Sequence, residues 1–244
     1  RDQAQGDGGG GGAAGFAVAG GRVARTLLYA PATSAIDKAP VEGPVMAGPQ
    51  GLAGDEQADR RHHGGPDKAL HAYAAANYPL WAAEMPERAG RFRPGAFGEN
   101  LVVEGLDESG LCLGDRWHLG RALVEVSQGR QPCWKLNLRF GRPDMARLVQ
   151  DSGRCGWYFR VLEPGEIAAG NRATLAARPH PGWPLARVSR LLYHDRLNRA
   201  DLAEFAALPG LPESWRRLAL ARLQSGRTED WSPRIETPPA GEGS

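Results

Sequence analysis

The 244-residue chain is long enough to bury a sizeable core, and its 41% hydrophobic and 24% charged residues are ordinary for a globular protein. Its 30 Lys and Arg residues nearly balance 28 Asp and Glu residues, and the resulting net charge of +2 argues against a dedicated nucleic-acid-binding protein. No apolar run approaches the roughly 20 residues that a membrane span needs, and the apolar stretch at 16–19 is too short for a signal peptide. We therefore expect a cytoplasmic protein without a membrane anchor.

The chain has three cysteines, Cys112, Cys133 and Cys155. An odd and sparse set favours a reducing compartment and argues against a disulfide framework. The sequence contains no CxxC pair and no HExxH motif, so a structural zinc site is not expected.

The first half of the chain predicts short strands and one helix. Residues 1–21 contain a run of five glycines and few large side chains, so we expect a disordered tail without chemistry. A first strand is predicted over 23–29. The alanine-rich segment 68–81 predicts a helix that ends near Pro79 or Pro86.

Further strands are predicted beyond residue 100. A turn at 97–100 leads into a strand over 101–103, and 111–113 with 116–119 predicts a hairpin around Gly114 and Asp115. A turn at Gly120 leads into a strand over 122–126.

The region after Cys133 completes the predicted barrel. A short helix over 145–150 precedes strands over 156–162 and 173–177, with a turn at 163–166. Many short strands separated by Gly and Pro turns predict a mainly β fold, a closed or nearly closed barrel with helical inserts over 22–179.

The last part of the chain predicts three short helices that pack on the barrel over 180–232. The first spans 185–194, the second runs from an N-cap at Asn198 to residue 208, and the third begins at Pro212 and stops before Gly226. Arg216, Arg217 and Arg222 are expected on a solvated face. Residues 233–244 are expected to be frayed.

Cys133 is the first candidate for chemistry. Gly129 interrupts the preceding strand, and Pro132 stiffens the backbone directly before the cysteine. Arg130 and Lys135 flank it, and positive charge favours the thiolate, which attacks electrophiles and binds metals. The alternative is a packed, inert thiol. Cys112 and Cys155 are expected to be structural.

The second candidate is the segment 62–68. Gly64 and Gly65, between His63 and Lys68, could form a backbone-amide nest for an anion. The alternative is a tight turn. Two other places allow a similar pair of interpretations, pocket lining or ordinary loop. They are Asp55 with Glu56, and the turn Gly98-Glu99-Asn100.

Taken in order, the motifs of this chain resemble those of MOSC-domain proteins, most closely the YiiM branch, in which a MOSC barrel precedes a three-helix domain. The resemblance runs from about residue 22 to residue 231. It is carried by the segments GDEQAD at 54–59, HGGPDKA at 63–69, FGENL at 97–101, GD at 114–115, SQ at 127–128 and RQPCWKL at 130–136.

The resemblance implies a molybdenum cofactor, molybdopterin, in which a protein cysteine supplies a sulfur ligand; Cys133 matches that cysteine. A soft thiolate suits such a metal. The implied cofactor-binding residues are those of the matching motifs: Asp55, His63, Gly64, Gly65, Lys68, Gly98, Glu99, Asn100, Arg130, Gln131 and Lys135.

The activity implied by the resemblance is reduction of N-hydroxylated compounds, such as 6-hydroxylaminopurine, to amines. Electrons would come from a separate flavoprotein, since the sequence has no flavin or iron–sulfur motif. Two alternatives remain: a carrier that holds the cofactor or persulfide sulfur, and a barrel that binds a phosphorylated small molecule without redox chemistry. The substrate, the donor and the oligomeric state, monomer or dimer, stay open.

Overall fold

A seven-stranded β-barrel forms the centre of the molecule. In the computed structural model, residues 15–23, 27–29, 32–34, 36, 38–56 and 64–239 are described. The barrel strands follow the order β13-β9-β10-β11-β7-β8-β1, and β13 pairs back with β1 to close it. Neighbouring strands are antiparallel except for β7 and β8, which are parallel.

The strands of the described chain are β1 (Gly15–Val23), β2 (Leu27–Tyr29), β3 (Ala32–Ser34), β4 (Ala39–Pro40), β5 (Val45–Gly48), β6 (Gly51–Leu52), β7 (Leu70–Ala74), β8 (Leu101–Glu104), β9 (Arg116–Leu119), β10 (Ala122–Gly129), β11 (Trp157–Glu163), β12 (Gly165–Ile167) and β13 (Arg172–Ala177). The helices are α1 (Asn77–Glu84), α2 (Lys135–Phe140), α3 (Met145–Ser152), α4 (Leu185–Tyr193), α5 (Arg199–Ala207), α6 (Glu213–Ser225) and α7 (Ser232–Ile235), with 3₁₀ turns at Pro66–Lys68 and Pro86–Arg91.

The helix predicted over 68–81 is wrong in its first half. Residues 70–74 form β7, which pairs with β11 on one side and β8 on the other, and every residue of β7 is buried. The helix begins only at Asn77. Alanine favours helices, but in a strand covered on both faces its small side chain also packs well, and the tertiary pairing decides.

The hairpin predicted between 111–113 and 116–119 is also wrong. Cys112 makes an isolated bridge with Pro184, while β9 pairs with β10 and β13. The strand predicted over 23–29 is divided between β1 and β2.

The predicted disordered tail is wrong for residues 15–21. These residues belong to β1, which pairs with β8 and β13 and so closes the barrel. Phe16 and Val18 are buried in the core and offset the cost of ordering a glycine-rich strand. Residues 1–14 lie outside the described residues.

The three-helix prediction is confirmed. The Asn198 side chain caps α5 by accepting a hydrogen bond from the Asp201 amide, and Gly226, in a left-handed conformation, ends α6. Leu202, Phe205 and Trp215 share one hydrophobic core with the barrel. The helices are therefore held by packing on the barrel.

Two expectations for this region are wrong. Arg222 is only 1% exposed, because its guanidinium donates to the carbonyls of Leu191 and Leu192 at the end of α4 and pairs with Glu229 at 2.6 Å. Residues 233–237 are not frayed, since α7 covers the start of the predicted tail and Ile235 is buried. In the described part of the chain, no helix is long and apolar enough to cross a membrane.

Candidate functional site

Cys133 lies in the loop between β10 and α2. The loop is fixed at its start by the Arg130 amide, which donates to the Gly156 carbonyl at 2.9 Å, just before β11. At its end the Cys133 carbonyl accepts the Leu136 amide at 3.0 Å as α2 begins. The cysteine is 8% exposed and is not part of a disulfide. It is thus a buried free thiol in a loop that backbone hydrogen bonds hold at both ends.

Arg130 is a buried cation next to this thiol. The arginine is 6% exposed, and its Nη1 atom has no hydrogen-bond partner among the described residues. Its guanidinium forms a hydrogen bond with the Tyr158 side chain. Burial raises the pKa of Tyr158, the Arg130 charge opposes this rise, and Cys133 adds to it. Arg130, Tyr158 and Cys133 therefore lie together. A buried, partly unpaired guanidinium is costly unless an anion completes its bonding.

His71 of β7 lies close enough to Arg130 to interact with its charge. Burial lowers the pKa of His71 to about 3, and the Arg130 charge acts in the same direction, while backbone groups at Gly98 and Cys155 oppose it. The imidazole is therefore neutral at ordinary pH, and its Nε2 atom has no partner within the described chain. A Cβ at Gly156 would lie 2.7 Å from that Nε2 atom, so only glycine permits this approach.

A second polar cluster bonds to the backbone of His71. It consists of Lys38, Asp55 and Asn100. Asp55 accepts from Lys38 at 2.7 and 2.5 Å and from the Asn100 amide group at 2.7 Å. Asn100 also accepts the His71 backbone amide at 3.0 Å. Burial lowers the pKa of Lys38, and the Asp55 charge opposes this effect. The predicted residues Asp55 and Asn100 are thus in direct contact, and both are linked to His71.

Glu99 supports the turn that carries Asn100. Its carboxylate is fully buried and accepts from the Tyr78 hydroxyl at 2.6 Å, from the Phe97 amide at 3.0 Å and from the Gly95 amide. Burial raises the pKa of Glu99. These bonds give Glu99 a structural role, and a cofactor contact by Glu99 or Gly98 stays a prediction.

The predicted anion loop is described only from Gly64 onward, and His63 lies outside the described residues. Gly65 precedes the 3₁₀ turn Pro66–Lys68, and the Lys68 amide donates to the Gly65 carbonyl at 2.9 Å. Ser127 of β10 donates to the Asp67 carbonyl at 2.5 Å, which fixes the turn against the strand that leads to Cys133. The turn is therefore close to the site in the fold, and its anion contacts stay a prediction.

Gln131 and Lys135 lie on either side of the cysteine. The Gln131 side chain hydrogen-bonds to Tyr193 of α4, so the loop contacts the three-helix region. Lys135 is the first residue of α2 and is half-buried. Cofactor contacts by Gln131 and Lys135 stay predictions.

Sequence reasoning missed four residues around the site: Lys38, His71, Tyr158 and Arg234. His71 falls in the predicted helix, although the alternation of Leu70, Ala72 and Ala74 with larger residues fits a strand equally well. Lys38 lies in a segment without a motif. Arg234 falls in the predicted frayed tail, but its guanidinium donates to the Pro132 carbonyl, directly before Cys133.

These residues fit a ligand that has an anionic group and a soft metal. Among the described residues, Arg130 Nη1 and His71 Nε2 have no partner; the first can donate to a ligand, and the second can donate or accept. The Cys133 thiol nearby provides a soft sulfur. No three acidic, histidine or cysteine side chains form a metal cluster in the described chain. A metal at this site would therefore depend on Cys133 together with a ligand brought by the cofactor.

Comparison with known proteins assigns the fold. Residues 59–174 match the MOSC domain, and residues 183–226 match the YiiM-like, 3-alpha helix domain. The chain is 40% identical to protein YiiM of Escherichia coli (strain K12) over 202 residues, 83% of this chain and 90% of that protein. This chain belongs to the YiiM-like MOSC-domain family.

Solved structures agree with this assignment. The crystal structure of YiiM from Escherichia coli has a TM-score of 0.76 at 34% identity and covers 91% of this chain and 98% of that one. YiiM from Geobacillus stearothermophilus has a TM-score of 0.72 at 37% identity, covering 85% and 99%. A protein of Gibberella moniliformis named "Reductase" is 38% identical over 209 residues, 85% of this chain but 37% of that longer protein.

In this YiiM-like MOSC protein, the barrel supplies Cys133, Arg130, His71 and Asn100 from three different segments. The matched three-helix domain ends at residue 226, so α7 and Arg234 lie beyond both matched ranges. Arg234, which bonds to the Pro132 carbonyl, thus belongs to a segment that neither match includes.

Proposed function

We propose that this protein is a molybdenum cofactor-dependent reductase that converts N-hydroxylated compounds, such as 6-hydroxylaminopurine, to amines. The observation that carries the proposal is the Cys133 thiol close to two buried nitrogens, Arg130 Nη1 and His71 Nε2, in a YiiM-like MOSC domain. Neither nitrogen has a hydrogen-bond partner among the described residues. The fungal relative named "Reductase" supports an oxidoreductase. The three free thiols are compatible with a reducing, cytoplasmic location.

The residues of this chain would divide the binding of the cofactor. Cys133 would provide a sulfur ligand, and Arg130 would bind an anionic group such as a phosphate. His71, neutral at ordinary pH, would hydrogen-bond through Nε2, because burial lowers its pKa to about 3. His63, Gly64, Gly65, Lys68, Gln131 and Lys135 remain proposed contacts of the same cofactor.

Conversion of an N-hydroxylamine to an amine consumes two electrons and two protons and releases water. When bound, the molybdenum centre supplies this two-electron redox chemistry, and the chain orients the cofactor and excludes water. Because the chain carries no flavin or iron–sulfur motif, a separate flavoprotein would deliver the electrons.

The proposal is tested by turnover. Protein from a cofactor-competent host, given a chemical reductant and 6-hydroxylaminopurine, should release the amine, and Cys133→Ala should not. Protein that binds molybdenum but fails to reduce any N-hydroxylated compound with any supplied donor would instead be a cofactor or sulfur carrier. Protein without metal, whose affinity for phosphorylated ligands survives Cys133→Ser, would be a non-redox binding barrel.

A further inference from the structure

The C-terminal segment 231–237 lies across the loop that carries Cys133. One residue, Arg234, bonds to both neighbours of the cysteine: its Nη1 atom donates to the Pro132 carbonyl, and its own carbonyl accepts the Trp134 amide at 2.8 Å. Arg234 and Pro132 are 102 positions apart in the sequence. Such long-range bonds fix a loop that its own sequence leaves irregular.

The part of the segment that follows Arg234 is anchored to α2. The Asn137 side chain of α2 donates to the Ile235 carbonyl at 2.9 Å and to the Thr237 hydroxyl at 3.2 Å. The same amide accepts the Ala146 amide at 2.8 Å, so α2, α3 and the C-terminal segment meet at one side chain. Ile235 itself is 5% exposed.

Arg234 is held in place by further contacts. Its Nη2 atom donates to Gln150 Oε1 at 2.6 Å, and its guanidinium lies 4.9 Å from the centre of the Trp231 ring. Trp231 in turn packs edge-on against Tyr193 of α4, with ring centres 5.1 Å apart. Burial lowers the pKa of Arg234, and the nearby Tyr193 and Cys133 oppose this shift.

We propose that the segment 231–237 is part of the functional site and that Arg234 is a positioning residue, which fixes the Cys133 loop through its bonds to Pro132 and Trp134. The inference rests on the proposed function only in taking Cys133 as the functional thiol. A tail that merely covered the barrel would not need a single residue that bonds on both sides of the cysteine. Arg234 does so, because its side chain donates to Pro132 and its backbone carbonyl accepts from Trp134.

The first measurement is hydrogen–deuterium exchange of the metal-free protein. In Arg234→Ala, the peptide containing Trp134 and Leu136 should exchange about tenfold faster, the effect of one lost hydrogen bond to a charged group. Peptides from α5 and α6 should keep their wild-type rates. The matched control is Arg217→Ala, which removes an arginine that is 73% exposed and contacts Glu213 at 3.8 Å; it should leave the Cys133 loop unchanged.

Two further variants separate positioning from general stability. Arg234→Lys keeps the charge, and an ammonium group can still donate to Pro132 and Gln150, so loop protection should be largely restored. Gln150→Leu removes one anchor of the guanidinium and should give an intermediate rate. The second readout is molybdenum per polypeptide after expression with cofactor synthesis, which should fall several-fold in Arg234→Ala and recover in Arg234→Lys.

Wild-type exchange of the Cys133 loop in a folded Arg234→Ala protein would overturn the inference. If that variant does not fold, unchanged loop exchange in Gln150→Leu would overturn it equally. Because exchange is measured without cofactor, the inference can fail while the reductase assay succeeds, and it can hold while that assay fails.

Discussion

The two sides of the candidate site differ in how their polar groups are bonded. On one side Lys38, Asp55 and Asn100 bond to one another. On the other side, Arg130 and His71 each keep a buried nitrogen without a partner among the described residues. Native proteins rarely leave such groups unsatisfied, so an unsatisfied atom requires an explanation.

The difference separates support from binding. A network whose members bond to one another keeps its shape without a ligand. Asn100 holds His71 through two hydrogen bonds: its side-chain Oδ1 accepts the His71 amide at 3.0 Å, and its own amide donates to the His71 carbonyl at 2.7 Å. The open side has a thiol, together with a cation and a neutral imidazole that each keep a nitrogen without a partner among the described residues, so a ligand can complete the bonding of these two nitrogens. Substitutions on the first side should therefore mainly reduce stability, and those on the second should mainly reduce binding.

The largest expected effect on stability is that of Asp55→Ala. It leaves the Lys38 ammonium buried without its carboxylate partner, so the free energy of unfolding should fall by roughly 3–5 kcal/mol. Urea denaturation provides the measurement. The control is Asp144→Ala, which breaks an exposed pair with Arg142 and should cost about 1 kcal/mol or less. Equal effects of the two substitutions would contradict the division between the two sides.

His71 should make stability depend on pH. Its folded pKa of about 3 lies below that of an unfolded histidine, about 6.5, so the unfolded state binds the proton first as the pH falls. The contribution is present above about pH 6.5 and is lost toward pH 3, at roughly 1.4 kcal/mol per pH unit. Unfolding free energies of wild type and His71→Phe, measured from pH 7 to pH 4, should converge, with His118→Phe as the matched control. Parallel curves for wild type and His71→Phe would show that the ring is not buried in the neutral form.

The smallest effect on stability is expected for Arg130→Met. The substitution removes the bond to Tyr158 but also removes a buried charge that lacks part of its bonding, so the unfolding free energy should change by about 1 kcal/mol or less. Cofactor content after expression should nevertheless fall several-fold. A loss of stability as large as that of Asp55→Ala would mean that Arg130 belongs to the supporting network.

The sequence predicted the architecture better than it predicted the local pairing. Turn residues and short apolar runs indicated a barrel, and Asn198 and Gly226 marked helix ends by local chemistry that needs no distant partner. The helix prediction for residues 70–74 is wrong because these residues form a strand only by pairing with β8 and β11, which are distant in sequence.

The same reasoning applies to the site. Cys133, Asp55, Asn100 and Arg130 belong to motifs, and the sequence could indicate them. Arg234 contacts Pro132 across 102 positions and belongs to no motif, so only the folded chain reveals it. Long-range contacts of this kind are the part that local patterns do not encode.

Binding of a molybdenum cofactor through Cys133 on the open side is tested most directly by metal and pterin analysis of protein expressed in a cofactor-competent host. Wild type and Cys112→Ala, which removes a buried thiol that contacts the Pro181 carbonyl, should both contain molybdenum and pterin. Cys133→Ala should lose the molybdenum. Equal molybdenum in all three proteins, or none in wild type, would contradict binding of the cofactor through Cys133.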